Sequence, residues 1–210
     1  MITNVYIDAL NLYYRALRGS RFKWLDLRKL MEVMFPADTI RRICYFTALV
    51  HPTARNPGQL ERQQIYLRAL ATLPGFEVYY GEIRARINTR PLAHPIPGLP
   101  EYVEIQDFEE KRSDVNLAMR LLVDGFTAAY EHAVVVTNDS DLAGPIKYVR
   151  DDLRLRITVV NPDSRNNTHP DLKDAATYIR RLWRSHLRRS QFPPALRDTQ
   201  GAITKPAAWN

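Results

Sequence analysis

Short apolar runs rich in β-branched and aromatic residues alternate along this chain with longer segments of helical spacing, and that alternation constrains the fold more than any other feature. The runs are Asn4 to Ala9, Arg42 to Leu49, Phe76 to Ile83, Ala133 to Thr137 and Arg156 to Val160. Each is too apolar on both faces for a sheet with one wet side, which is the pattern of strands covered by helices above and below. The pattern predicts a three-layer α/β fold with a mostly parallel central sheet of about five strands and helices on both faces.

The intervening segments carry helix signals. Leu27, Leu30, Met31 and Met34 share one helix face, and Pro36 ends the run. Asn56 and Pro57 suit the cap and first position of a helix carrying Leu60, Leu67 and Leu70, closed by Pro74 and Gly75. Ser113 is placed to cap a long helix through Tyr130, with Val115, Met119, Leu122, Val123 and Phe126 turned inward. A further helix is expected from Leu142 to Arg150.

With 210 residues and 45% hydrophobic content, the chain suffices for one substantial core. The expected organisation is one domain over residues 1–190, with an inserted arm at about 84–108, where four prolines precede an alternating stretch from Glu101 to Phe108. A proline-containing tail, 191–210, either lies along the body or stays mobile. No apolar run is long enough for a membrane helix and the first residues lack the features of a signal peptide, so the expected location is the cytoplasm. Cys44, the single cysteine, lies within an apolar run, so a disulfide framework within the chain is excluded and an inert core thiol is expected. The five histidines are scattered without ligand spacing, and phosphate-binding glycine motifs are absent, which argues against a nucleotide-cofactor enzyme.

Thirty Lys plus Arg against 23 Asp plus Glu give a formal charge of +7, which suits a polyanionic partner. Six arginines and no acid fall between Ala175 and Arg197. Read as a helix, that stretch places Arg180, Arg184 and Arg188 on one face, as a phosphate-contacting ridge or simply a solvated face, and Ile179, Leu182, Trp183 and Leu187 on the opposite face. Tyr13, Tyr14, Tyr79, Tyr80 and Tyr102 could stack on bases or pack in the core.

The acids point more sharply to chemistry. In a doubly wound sheet, function collects at the carboxyl ends of the strands where strand order reverses. Asp8 closes the first run, and Asp139 and Asp141 follow the fourth. Asp114 opens the long helix leading to that fourth strand, and joins the others if the helix begins at the same edge. Carboxylates brought that close repel unless a cation lies among them, and hard oxygen donors favour Mg2+ or Mn2+, the ions of phosphodiester hydrolysis. Taken singly, each acid also reads as a helix or turn cap.

Three segments resemble the NYN family of PIN-like ribonucleases in that family's order: YIDALNLYY, EEKRSDVNLAMRL and TNDSDLAGPI, spread from about Ile2 to Val160. The resemblance implies a PIN-like, Rossmannoid nuclease fold, single-stranded RNA as substrate, and a metal-dependent endoribonuclease activity. It implies Asp8, Asp114, Asp139 and Asp141 as metal ligands, Asn11 as an orienting residue, and Lys111 and Ser140 as phosphate contacts. Asn138 stands where the family block has glycine, and Leu142 replaces an aromatic residue; asparagine tolerates a left-handed backbone if the loop requires one. A non-catalytic RNA-binding or adaptor protein with the same fold is the alternative, a small-molecule phosphatase a third reading, and homo-oligomerisation stays open.

Overall fold

The computed structural model describes every residue except Arg55, Leu99, Ser164, Asn166 and Asn210. In β1 (Ile2–Asp8), Val5 and Ile7 turn to one side of the sheet and Tyr6 to the other, all fully buried, so the strand nucleates two cores at once. The chain continues through a short α1 (Ala9–Leu12) and a π-helical turn (Tyr13–Leu17) into α2 (Leu27–Met34) and β2 (Thr39–Thr47). Next come α3 (Gln59–Ala71), β3 (Phe76–Tyr80), the hairpin strands β4 (Glu82–Pro91) and β5 (Tyr102–Lys111), and α4 (Ser113–Phe126). The second half runs β6 (His132–Val136), α5 (Ala143–Asp151), β7 (Arg156–Asn161), α6 (Pro170–Ala175), β8 (Tyr178–Arg181) and α7 (Arg184–Arg189), and ends in a small hairpin of β9 (Ala195–Asp198) and β10 (Gly201–Thr204).

The central sheet has the order β3-β2-β1-β6-β7-β8 with every pairing parallel. One core lies under α2, α3 and the C-terminal segment, and the other under α4, α5 and α6, which makes the expected three layers. Strand order reverses between β1 and β6, so the carboxyl ends of these two neighbours form the switch point of the sheet. Among the described residues no helix is long and apolar enough to cross a membrane.

Several helices begin and end as their signals predict. Asp26 caps α2, its Oδ1 accepting from the Lys29 backbone N–H at 2.9 Å, and Leu27, Leu30, Met31 and Met34 are all buried. The proline-bounded helix departs from its signal at the start: it begins at Gln59 after Gly58, and Asn56 does not cap it but donates through Nδ2 to the Gln59 side chain at 3.1 Å.

Four points are decided by the structure, the first three of them corrections. First, α4 presents the opposite face to the sheet: Leu117, Leu121, Asp124 and Gly125 are buried, whereas Val115 is 70%, Met119 57% and Phe126 62% exposed, and Val123 is exposed as well. The physical reason is Asp124, which takes hydrogen bonds or ion pairs from the Tyr6 hydroxyl at 2.8 Å, Arg120 at 3.0 Å and Arg42 at 3.3 Å. A carboxylate so matched is cheaper to bury than to turn out, which would leave Tyr6 and Arg120 unanswered and Arg42 with Glu77 alone. Nor does the Ser113 side chain cap this helix, which ends at Phe126; its backbone N–H donates to Glu110 Oε1 at 3.1 Å.

Second, no single helix carries Arg180, Arg184 and Arg188. Residues 178–181 form a sixth strand on the open edge of β7, satisfying backbone groups there, and only Arg184 and Arg188 share α7. Third, the third strand stops at Tyr80, and Gly81 turns the chain into the arm, its N–H donating to Thr47 O at 2.7 Å. A β-carbon at Gly81 would lie 2.3 Å from Glu110 Oε1 and 2.6 Å from Lys111 O, so only glycine allows the arm's base this close. Three basic residues of the arm are internally matched, Arg84 with Glu82 at 2.9 Å, Arg90 with Asp107 at 3.7 Å, and Lys111 with Glu109, whereas Arg86 makes no ion pair among the described residues. Fourth, of the two courses left open for the tail, it lies on the body, with Phe192 and Ile203 buried in the first core and the Trp24 indole donating to Pro193 O at 2.8 Å.

Candidate metal centre

Asp8 ends β1 at the centre of the sheet and is only 7% exposed. Its Oδ1 accepts from the Asn11 backbone N–H at 2.9 Å, capping α1, and its Oδ2 accepts from the Thr137 hydroxyl at 3.1 Å. Thr137, the first residue beyond β6, uses the same hydroxyl to accept from the Asp139 backbone N–H at 3.0 Å. One threonine thus ties the ends of β1 and β6 together.

Asp139 caps a 3-10 turn (Ser140–Leu142), its Oδ1 accepting from the Asp141 N–H at 3.1 Å. Asp114 sits in the first turn of α4, which starts at this edge of the sheet because the arm delivers the chain there. One carboxylate oxygen each from Asp8, Asp114 and Asp139 lie within 4.8 Å of one another. Asp141 is exposed beside them, and its carboxylate falls outside that mutually close set.

The electrostatics of this cluster differ from those of the other buried acid. Asp124 is met by two arginines. Among the described residues, none of Asp8, Asp114, Asp139 and Asp141 makes an ion pair. Burial pushes Asp8 up to about 6; Asp114 and Asp139 add to the rise, while the hydrogen bonds from Asn11 and Thr137 oppose it. Asp114 is likewise pushed up to about 6, by burial and then by the negative charges of Asp139, Glu110 and Asp141. Hard oxygen donors, close together, partly desolvated and lacking a protein cation, are a donor set that fits a divalent ion such as Mg2+ or Mn2+.

The other sequence-derived residues take varied places. Asn11 accepts through Oδ1 from the Asn138 N–H at 3.1 Å, so it orients the loop after β6. Asn138 has no left-handed backbone; instead its side chain donates to Asn167 O at 2.9 Å and accepts from the His169 N–H at 3.0 Å, which explains an asparagine where a glycine was the expectation. Ser140 stands half-buried at the loop, and Lys111 is engaged with Glu109 at the base of the arm. Arg180 is committed to the Met34 carbonyl and lies 4.6 Å from the Phe35 ring, where the chain turns toward the amino end of β2 and away from the carboxylates. Arg184 lies over the Phe22 ring at 5.9 Å. Cys44 is fully buried, and burial pushes its thiol up to about 12, as an inert core thiol requires. Thr137 and Glu110 lie inside two of the segments that resemble the family, TNDSDLAGPI and EEKRSDVNLAMRL, but the sequence alone assigns neither a role.

Residues 2–182 match the NYN domain family. Over 99% of its length the chain is 33% identical to 6-hydroxy-3-succinoylpyridine 3-monooxygenase HspA of Pseudomonas putida (strain DSM 28022 / S16), covering 75% of that protein. A crystal structure of a protein of unknown function from Vibrio parahaemolyticus RIMD 2210633 shares the fold, with a TM-score of 0.55, 16% identity, and coverage of 91% of this chain and 96% of the other.

Proposed function

From the premise that this chain belongs to the NYN domain family, a family of nucleases, we propose that it is a metal-dependent endoribonuclease hydrolysing internal phosphodiester bonds of single-stranded RNA. The observation that carries the reading is the trio Asp8, Asp114 and Asp139 at the sheet's switch point, mutually within 4.8 Å and without a cationic side chain between them. These three carboxylates would hold Mg2+ or Mn2+, with Asp141 completing the acidic rim on the solvent side. A bound ion there supplies neutralisation of charge on the phosphate and a water that is easier to deprotonate.

The chain's own residues supply position. Thr137 holds Asp8 and the Asp139 backbone in one register, and Asn11 fixes the loop through Asn138. Glu110, beside Asp114, keeps the start of α4 against the arm. Ser140 is assigned to phosphate contact together with Lys111, whose pair with Glu109 is exposed and open to exchange for phosphate, and Arg184 and Arg188 to the RNA backbone further along. Arg180 is left out because its guanidinium is already engaged.

The test is cleavage of a labelled single-stranded RNA with Mn2+ or Mg2+, compared with Asp8→Asn and Asp139→Asn proteins whose circular dichroism is unchanged. Cleavage by the parent and its loss in both variants is the expected result. Salt-sensitive RNA binding without turnover by the intact protein would replace it with the non-catalytic RNA-binding alternative. A second reading is favoured by the Pseudomonas putida relative, whose name describes a monooxygenase of a substituted pyridine: action on a small aromatic compound. Oxygen consumption that depends on such a compound and on an added two-electron reductant, with RNA left intact, would select that reading.

A further inference from the structure

Beside the acidic edge lies a second, basic cleft of about 340 Å3 that the metal centre does not use. It opens directly after Asp8, where Ala9 and Leu10 begin its wall, and runs between the π-helical turn, the carboxyl end of β2, α3 and the C-terminal residues Ala208 and Trp209. Its walls are aromatic and aliphatic: Tyr13 and Tyr14 on one side, Tyr66 and Trp209 in edge-to-face contact at 5.8 Å on the other, with Leu17 and Val50 between.

The polar groups divide into two sets. Those of the loop after β2 are spent on the protein itself: Gln63 accepts from the Val50 N–H at 2.9 Å and donates to Ala48 O at 2.9 Å, and Gln59 donates to His51 O. The cations are less committed: Arg62 donates to Asn56 Oδ1, Arg18 lies over the Tyr14 ring at 5.4 Å, and Lys23 has no hydrogen-bond or ion-pair partner among the described residues. Arg18, Lys23 and Arg62 all line the cleft, and among the described residues none of them has a carboxylate partner. Tyr45 and Thr47 project from the same face of β2 into the lining; they are 8% and 2% exposed, and neither hydroxyl has a hydrogen-bond partner among the described residues. Both hydroxyls therefore face the open space of the cleft, where a ligand's polar group can reach them.

We infer that this cleft binds a small organic acid made of one flat aromatic ring and a carboxylate arm. The ring lies among Tyr14, Tyr66 and Trp209, the carboxylate meets Lys23 with Arg18 and Arg62 nearby, and a polar ring substituent or carbonyl takes the Tyr45 and Thr47 hydroxyls. A cleft of this size with an apolar lining and a few placed polar groups is the ordinary form of a small-molecule site. A mononucleotide fits less well, because among the described residues no carboxylate lines the cleft to accept from ribose hydroxyls. The inference is independent of RNA cleavage, and would give the second reading above its binding site.

The experiment is titration of the full chain, followed by tryptophan fluorescence from Trp209 and its neighbour Trp24, with 3-phenylpropanoate as probe. Saturable quenching with a dissociation constant between about 10 µM and 1 mM is expected, the strength a ligand of this size reaches. The neutral 3-phenylpropanamide should bind about tenfold more weakly, since it loses the charge-assisted contacts. Lys23→Gln, folded by circular dichroism, should weaken the acid by a similar factor and leave the amide unaffected. Asp8→Asn should bind the probe normally even if all RNA cleavage is gone, which separates this site from the metal centre. Equal binding of acid and amide, tighter binding of uridine 5′-monophosphate, or an absence of saturable quenching by the parent protein would each overturn the assignment.

Discussion

Replacing Asp8 by asparagine separates an ion-binding carboxylate from a structural one by the sign of its effect on stability. The folded protein holds Asp8 at about 6 against an ordinary 3.8. A carboxyl raised in this way is protonated in the folded state but ionised in the unfolded chain between the two values, so the unfolded chain binds fewer protons and stability falls as pH rises from about 4 through about 6. Above that window the cost is constant, on the order of 3 kcal/mol for a rise of about two units. Asparagine still accepts from the Asn11 N–H but disturbs the bond from Thr137, which takes back about 1 kcal/mol. The expected net gain without metal at pH 7.5 is about 2 kcal/mol, or roughly 4 to 8 °C in Tm for a chain of this size. At pH 4 the gain should vanish. With Mn2+ at about 100 times its Kd, the parent should recover about 2.7 kcal/mol and the variant much less. The assay is thermal or urea unfolding at pH 4 and 7.5, with chelator and with Mn2+. A variant less stable than the parent in chelator at pH 7.5, or one stabilised equally by Mn2+, would refute the reasoning, since Asp8 would then act as a structural cap.

Other outcomes follow from particular contacts. Asp114→Asn should lower metal-dependent cleavage by on the order of 10²-fold to 10³-fold, the effect of removing one charge that stabilises a transition state, measured by initial rates on labelled RNA. Asp124→Ala leaves Arg120 without its carboxylate and the buried Tyr6 hydroxyl without its acceptor, while Arg42 keeps Glu77 at 3.0 Å, and should cost about 3 kcal/mol in urea unfolding. Gly81→Ala pushes against Glu110 and the Lys111 carbonyl at the foot of α4, so it should reduce cleavage about tenfold through a displaced Asp114. Crystallography would check that displacement. Truncation after Gln191 removes Phe192 and Ile203 from the core and uncovers Trp24, and should lower stability by at least about 4 kcal/mol.

The layered architecture was legible in the sequence because a buried parallel strand has to be apolar on both faces, and Asn4 to Ala9, Arg42 to Leu49 and Ala133 to Thr137 have no other economical reading. The meeting of Asp8 with Asp139 followed from the same pattern, since a sheet wound in both directions from its middle brings the ends of β1 and β6 together. Three matters were decided only by the tertiary structure. On α4, residues 115, 119 and 126 and residues 117, 121, 124 and 125 fall on helix faces that spacing alone does not rank; the approach of Tyr6 and Arg42 from two strands selects the second set, and Leu122 packs partly buried against the same core. Residues 178–181 read as helix until the free edge of β7 offers them backbone partners. The basic cleft gathers residues from positions 9 to 23, 45 to 66 and 208 to 209, and no local pattern joins them. Periodicity along a chain reports which side of an element avoids water. Which charges find partners, and which are left for a ligand, depends on surfaces brought together only once the whole chain has closed.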